Sequence, residues 1–588
     1  MRAMNARLEN PELLAATATD STPATGATVL IQALLALGVD TVFGYPGGAV
    51  LPLYDALHAE PRLRHILVRH EQAAVHAAQG YARSTGKVGV VWVTSGPGMT
   101  NTTTGLLDAY CDSVPIVCIS GQVATNAIGT RAFQECDALG ISKPVTKWNA
   151  QVREPAKLQA LVLEAFRQAS TGRPGPVLLD VPKDMQLHPC HFQPPPPKQR
   201  PTAPSWQGDL AAVAAAILSA QRPVFYGGGG LINSGPEACA AYTELVRRTS
   251  APCTLTLMGL GAFPASSPQW LGMLGMHGSL EANLAMHEAD LVVCVGARFD
   301  DRVTGRLDQF CPKARIVHFD IDPKALHQAV RADFPLVGDC GALLQALLPL
   351  LPPEHLPPAR LNPWWQRIEN WRAEESFDFE DTAPHIAPQA LMRRLQAQLQ
   401  GRDAIVSTDV GQHQMWAAQH LQFEQPRRWL SSGGAGTMGY GLPAAIGAQI
   451  AHPGKTVVCV SGDASILMNL QELATATQHR TPVKVVLCNN QHMGMVRQWQ
   501  ALVHGERYSH SYMEALPDFP ALARAFGWQA ERVSCRSQLD DALQACLDSS
   551  GPYFLEVLVA PEAHCFPMIP AGRGHHELML GPGRYYLG

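Results

Sequence analysis

The chain has 588 residues, 46% of them hydrophobic and 16% charged, with 45 basic against 50 acidic side chains for a formal net charge of -5. A length that allows about 150 residues per domain asks for three or four domains rather than one core. The faintly acidic balance gives no electrostatic ground for binding nucleic acid or an anionic membrane, and no apolar run reaches the roughly 18 residues that a membrane span needs.

Residues 1–24 are rich in Ala and Thr and lack the apolar block of a secretory signal. Glu9, Glu12 and Asp20 argue against a transit peptide, so an N-terminal extension is expected. Two proline-rich seams follow, Pro194 to Pro197 continuing to Pro201, and Pro349 through Pro358. Stiff, extended linkers have this composition. They set off segments at 25–192, 202–350 and 380–572, with a tail at 573–588. In each segment apolar strands alternate with helical patterns, the mark of α/β domains with parallel sheets flanked by helices. The fourteen cysteines are dispersed without a Cys-x-x-Cys pair, and Cys118, Cys294, Cys459 and Cys488 lie inside apolar runs. Reduced thiols in a cytoplasmic protein fit this better than a disulfide framework or a zinc site.

In the first segment Val42-Phe43-Gly44 reads as a strand end running into Tyr45-Pro46-Gly47-Gly48. His70 to Ala82 reads as a small-residue helix with Glu71 at its start, among alanines that permit close packing. Taken alone, such a glutamate is a helix-favouring surface residue. In the middle segment Pro223-Val224-Phe225-Tyr226 enters Gly227 to Gly230, and Leu291 to Val295 is a second strand ending in glycine. A third, Arg315 to Asp322, ends in an acid suited to a ribose hydroxyl. There is no Gly-x-Gly-x-x-Gly, so the nucleotide signal from pattern alone is weak.

The third segment carries the most chemistry. Ile405-Val406-Ser407 leads to Val410-Gly411-Gln412-His413, and Gly433 to Ala445 is a glycine-rich loop entering a helix, with Met438 among its glycines. Thr456 to Val460 is a short buried strand that delivers Gly462-Asp463-Ala464. Apolar residues at helical spacing from Ile466 to Gln478 follow, and a second strand, Val483 to Cys488, ends at Asn489-Asn490. Ligands bind outside the carboxyl ends of strands in such a βαβ unit. Asp463 and Asn490 there offer hard oxygen ligands for an octahedral Mg²⁺ that also holds a diphosphate. Trp499 lies four residues after Met495, on the same side of a helix.

Gly-Asp-Ala followed at that distance by Asn-Asn resembles the thiamine diphosphate fingerprint. Phe43 to Gly48, Arg69 to Ala74 and Thr94-Ser95-Gly96-Pro97-Gly98 then look like the pyrimidine-binding domain of acetohydroxyacid (acetolactate) synthases. Leu274 to Gly278 and Gly296 to Gly305 look like that family's FAD-binding segments, and the similarity runs from about residue 25 to about 572. Gly-Asp-Ala in place of Gly-Asp-Gly is a change the family shares.

The resemblance implies an enzyme that decarboxylates pyruvate and condenses the two-carbon unit with pyruvate or 2-ketobutyrate. The products are 2-acetolactate or 2-aceto-2-hydroxybutyrate, on the route to valine, leucine and isoleucine. The cofactors implied are thiamine diphosphate, Mg²⁺ and a FAD with no part in net redox. Glu71 is implied as the carboxyl that activates the aminopyrimidine, and Met438 as the wedge that bends the coenzyme. Asp463, Asn490 and the backbone carbonyl of His492 are implied as metal ligands. Phe133, Gln134, Lys183, Arg302, Met495 and Trp499 match active-site positions, with Arg302 facing the acceptor carboxylate and Trp499 favouring 2-ketobutyrate. Cofactor contacts are expected from Val410, Gly411, Gln412, His413, Gly436, Met438, Asp463, Ala464, Ser465, Asn490 and Met495. A further set comprises Ser113, Arg173, Gly229, Thr256, Leu257, Leu274, Met276, His277, Gly296, Arg298, Asp300, Asp320, Ile321 and Asp339. The family also implies a homodimer or homotetramer and commonly a small regulatory subunit. A flavin-dependent pyruvate oxidase and a catalytically silent paralogue are the rival readings. Arg302, Gln134 and Trp499 weigh against the first, and intact Glu71, Asp463 and Asn490 against the second.

Overall fold

The computed structural model describes residues 24–195, 205–381 and 385–586. The N-terminal extension, apart from Ala24, and the Pro196 to Pro201 part of the first seam lie outside the described residues. Three six-stranded sheets form the body, and every strand pairing within them is parallel.

The first sheet runs Arg64–Leu67, Thr41–Gly44, Gly89–Val93, Ile116–Gln122, Val177–Pro182, Trp148–Gln151. The third runs Trp429–Leu430, Ala404–Thr408, Thr456–Gly462, Lys484–Asn489, Tyr553–Leu558, Gln529–Val533. Counted along the chain within each domain, both have the strand order 2-1-3-4-6-5. The middle sheet instead runs Trp270–Met273, Cys253–Leu255, Pro223–Gly227, Leu291–Val295, Arg315–Asp320, Phe334–Val337. That is the order 3-2-1-4-5-6, the dinucleotide-binding arrangement, with its switch point between Pro223–Gly227 and Leu291–Val295. The strands are nearly continuous Val, Ile, Leu and Cys because helices cover both faces, and most of their residues are fully buried.

The first and third domains share one apolar core. Helix Glu71–Thr85 of the first lies against Gly441–Ala451 of the third, its counterpart in the strand–helix order. Glycine permits this contact. A Cβ on Gly80 would stand 2.0 Å from the Ala444 carbonyl oxygen, and one on Gly447 would stand 1.8 Å from that of Ala77.

Packing moves three boundaries read from the sequence. Helix Asn362–Arg372, beyond the second proline seam, buries Trp364, Ile368 and Trp371 in the middle domain's core, and the Trp364 indole donates to the Pro223 carbonyl at 3.2 Å. The tail and the residues before it pack back onto the same domain. Ile569 and Leu578 join the same core, and buried His575 bonds the Val303 carbonyl through Nε2 at 2.7 Å. Short strand Ala24–Thr25 pairs antiparallel with Pro189–Cys190, so Ala24 belongs to the first domain. The helix expected from Ile466 to Gln478 is broken in two, Asp463–Ile466 and Glu472–His479. Buried Asn469 in the gap turns its amide to the Gly439 carbonyl at 2.7 Å, which ties the connection to the glycine-rich loop.

Candidate functional site

Two cavities meet at the carboxyl ends of the third and middle sheets. The smaller, about 230 Å³, sits at the switch point of the third sheet. Val410, Gly411, Gln412 and His413 line it after Ala404–Thr408, and Asp463, Ala464 and Ser465 line it after Thr456–Gly462. Asn490, His492 and Met495 come from beyond Lys484–Asn489, and Gly436 and Met438 from the glycine-rich loop. Gly411 has φ +155° and Gly436 φ +64°, both in the left-handed region open to glycine. Asp463 Oδ1 accepts the Ala464 N–H at 2.7 Å, while Oδ2 is buried without a hydrogen-bond partner. Desolvation pushes its pKa up to about 7, opposed by the amides of Ala464, Gln491, Asn490 and His492. An orphaned buried carboxylate oxygen beside an amide side chain is the donor set expected of Mg²⁺, which takes one or two carboxylates and completes its shell from phosphate and water. Among the described residues no cluster of three or more His, Cys, Asp or Glu competes for a metal.

The larger cavity, about 590 Å³, runs from the middle sheet's switch point to the other two domains. Every residue of the further set from Ser113 to Asp339 lines it, together with Arg302, Met495 and Trp499. The run Gly227 to Gly230 has a structural reason. A Cβ on Gly228 would meet the Gly296 carbonyl oxygen at 2.4 Å, and one on Gly230 the Gly296 Cα at 2.7 Å, so the loops after the two central strands touch backbone to backbone. Thr256 Oγ1 is buried without a partner on the cavity wall. Burial pushes the Asp320 carboxyl up to about 6, with its Oδ1 taking the Asp322 N–H at 2.8 Å. A channel of this volume, at a dinucleotide switch point and with an acid at the end of strand Arg315–Asp320, fits a flavin dinucleotide. Val410, Gly436 and Met495 line both cavities, so the two open on a common wall.

Met495 and Trp499 do lie on one helix, Gly494–Leu502. Arg302 follows Asp300, whose side chain caps helix Asp301–Thr304 by accepting the Arg302 N–H at 3.0 Å. Its own side chain is 70% exposed, with only a 4.0 Å contact to Asp301.

Glu71, Phe133, Gln134 and Lys183 are not brought to either cavity. They gather at the carboxyl ends of the first sheet. Glu71 is 9% exposed and its Oε2 accepts the Asn101 amide at 2.9 Å. Gly98, whose Cβ would lie 3.5 Å from Glu71 Oε1, and Gly96, whose Cβ would meet the Gln134 carbonyl at 2.9 Å, connect this group. Gln134 has φ +60° and Phe133 is 89% exposed.

Some residues of the site carry no motif. Asp112 Oδ1 takes the N–H of Gly434 at 2.7 Å and Oδ2 that of Gly433 at 3.0 Å, and Oδ2 also pairs with Arg83 at 2.7 Å. Asp108 accepts the Thr437 hydroxyl at 2.8 Å and that of Ser432. These buried acids of helix Thr103–Cys111 and its cap fasten the glycine-rich loop to the first domain. Only the run Asp108-Ala-Tyr-Cys-Asp112, with two acids at helical spacing, could have hinted at them.

The chain's three domains match three sequence families: thiamine pyrophosphate enzyme, N-terminal TPP binding domain over 24–141, central domain over 210–347, and C-terminal TPP binding domain over 409–557. It is 47% identical to the acetolactate synthase large subunit of Haemophilus influenzae over 563 residues, 94% of this chain and 98% of that one. It is also 47% identical to the isozyme 3 large subunit of Escherichia coli over 567 residues, with the same two coverages. The large subunit of Parasynechococcus marenigrum is 48% identical over 580 residues, 95% of this chain and 93% of that one.

Proposed function

The chain belongs to the acetolactate synthase large subunits, a thiamine diphosphate family, and on that premise we propose how its own residues divide the work. It is a carboligase of branched-chain amino-acid synthesis, joining pyruvate with pyruvate or 2-ketobutyrate and releasing CO₂. Bound thiamine diphosphate supplies the carbanion chemistry that lets one 2-ketoacid lose CO₂ and add to another.

The residues of the smaller cavity hold the coenzyme's diphosphate end. Asp463, Asn490 and the His492 carbonyl take Mg²⁺, and Gly411, Gln412, His413, Gly436, Ala464 and Ser465 surround the phosphates. Met438, on the same cavity wall, would support the coenzyme's two rings. The larger cavity takes FAD along the set from Ser113 to Asp339, and its end at Arg302, Met495 and Trp499 receives the acceptor 2-ketoacid. Arg302, exposed and nearly unpaired, is free to grip a carboxylate in two-pronged fashion. Trp499 lines the wall that an acceptor's alkyl group would touch. Glu71 serves as the hydrogen-bonding carboxyl that lets the aminopyrimidine take a proton.

Because Glu71, Phe133, Gln134 and Lys183 lie outside this chain's own cavities, they complete the site of a second copy, which makes the working unit at least a homodimer. The relatives are named large subunits, which supports a small regulatory partner. Among the described residues no helix is long and apolar enough to cross a membrane. The fourteen unpaired cysteines, nearly all buried or half-buried, support a cytoplasmic setting.

The observation that carries this reading is the common wall of Val410, Gly436 and Met495, which sets the metal-and-diphosphate cavity against the Arg302–Trp499 end of the flavin cavity. The test is a competition between pyruvate and 2-ketobutyrate on purified protein, with and without added FAD. Acetohydroxybutyrate as the major product, dependent on FAD but not on oxygen, is expected. Acetate formed with oxygen uptake would overturn it.

A further inference from the structure

Glu472 is a buried carboxylate with no part in the division of labour above. It opens the third-domain helix Glu472–His479 and is 1% exposed. Its oxygens accept the Arg69 N–H, from the first domain, at 3.0 and 3.2 Å, and the Thr475 hydroxyl at 2.6 Å. The His70 amide also stabilises the charged form. The rest of the helix grips the same segment. His479 Nε2 accepts the Leu67 N–H at 3.0 Å, and the Gln478 side-chain oxygen accepts the Arg69 guanidinium at 2.5 Å. Helix Glu71–Thr85 begins two residues after Arg69.

Burying a carboxylate is costly unless donors satisfy it, and here the Thr475 hydroxyl is joined by the Arg69 amide at the entry into the Glu71 helix. The first amides of a helix have no partner within it. His70 Nδ1 serves the Gln72 N–H at 3.1 Å, and Glu472 serves that of Arg69 just before the helix. We propose that Glu472 is a positioning residue for Glu71, fixing the turn at Arg69–His70 and with it the direction of the activating carboxylate. This rests on the reading of Glu71 given above. The same stretch of the third domain reaches the coenzyme loop as well, since Asn469 bonds the Gly439 carbonyl next to Met438. Without the acceptor the Arg69 amide would shift toward other partners. A displacement of about 1 Å at a reacting group costs on the order of 100-fold in rate while leaving the binding pocket formed.

The test compares E472L, which keeps bulk but no acceptor, E472Q, which keeps one carbonyl, and T475V, which removes the hydroxyl donor from one carboxylate oxygen. Two readouts are taken: exchange of the C2 proton of bound thiamine diphosphate in the holoenzyme, and amide hydrogen exchange over residues 67–72 before coenzyme is added. E472L is expected to slow C2 exchange by about 10-fold or more and to speed amide exchange at 67–72, with coenzyme affinity within about 3-fold of the parent. E472Q is expected to stay within about 3-fold on both, and T475V to fall between. Parent-like C2 exchange in E472L, or a loss accounted for entirely by weaker coenzyme binding, overturns the proposal. Should E472L not fold, T475V decides by the same measure, slower exchange supporting and unchanged exchange refuting. E71Q separates the two levels. Unchanged C2 exchange there defeats the reading of Glu71 itself, whereas slow E71Q beside parent-like E472L defeats only the role of Glu472.

Discussion

The first and third domains have the same strand order and pack through equivalent helices, yet the cavity that Asp463 lines opens at the switch point of the third. In the third, Gly411 and Gly462 leave room for the His413 ring, which a Cβ would meet at 2.7 and 2.8 Å, and Asp463 lines the cavity beside them. In the first, the equivalent strand ends lead to exposed Tyr45 and Leu51, to Glu71 held by Asn101, and to Phe133 out in solvent. In the division of labour proposed above, one scaffold is used twice, once as a container and once as a lid on another copy's container. Fold alone does not assign these roles; the residues at the strand ends do.

The sharpest way to break this contrast is to remove one acid from each side. E71Q should leave coenzyme affinity near the parent value and lower C2 deprotonation by about 10²–10⁴-fold, the usual worth of a positioned proton-transfer group. Proton exchange followed by quenched NMR, alongside a titration of coenzyme fluorescence quenching, reads both numbers. D463N should do the reverse, weakening Mg²⁺-dependent coenzyme binding on the order of 100-fold and restoring much of the turnover at saturating Mg²⁺ and coenzyme. If E71Q lost binding, or D463N kept it, container and lid would have been assigned the wrong way round.

How much of this could be read in the residues alone depends on whether a contact is local. Asp463 and Asn490 were legible because one βαβ unit fixes both, and strand ends in such units face the ligand side. Glu71 was legible as a helix start but not as a partner of anything, since its role depends on where a distant domain lies. The middle domain lacked the usual glycine spacing, and its nucleotide topology emerges only in the strand order 3-2-1-4-5-6. The proline seam at 349–358 suggested a boundary that Trp364 and Trp371 override by packing back. Gly80 and Gly447 gave no signal beyond a small-residue helix, because the clash they avoid is with a backbone far away in sequence. Glu472 lay hidden for the same reason.

A smaller effect is expected from W499L, which sharpens the contrast inside the container. It should leave decarboxylation near parent values and lower the preference for 2-ketobutyrate by about 10-fold, the scale on which an apolar wall discriminates one methylene. Product ratios under competition measure it directly, and an unchanged ratio would remove Trp499 from the acceptor wall.

The smallest shift, and the one that probes where container and lid touch, is the pH dependence of stability in E472Q. Desolvation raises the Glu472 carboxyl from an ordinary 4.5 to about 7 in the folded protein. Between those values the native state holds a proton that the unfolded chain releases, so the group's contribution is fully present below about 4.5 and fades as pH rises through 7. Glutamine has no charge to bury, and E472Q should therefore gain on the parent as pH climbs from 5 to 8. The full shift corresponds to about 3 kcal/mol as an upper bound, spread over so long a chain that only about 1–3 °C of midpoint difference is expected. Thermal melts of both proteins at the two pH values give the sign. A gap that stays constant, or that widens in the parent's favour at pH 8, would mean that the Arg69 and His70 amides stabilise the charged carboxylate more than burial opposes it, and the two domains would then be held together by that charge.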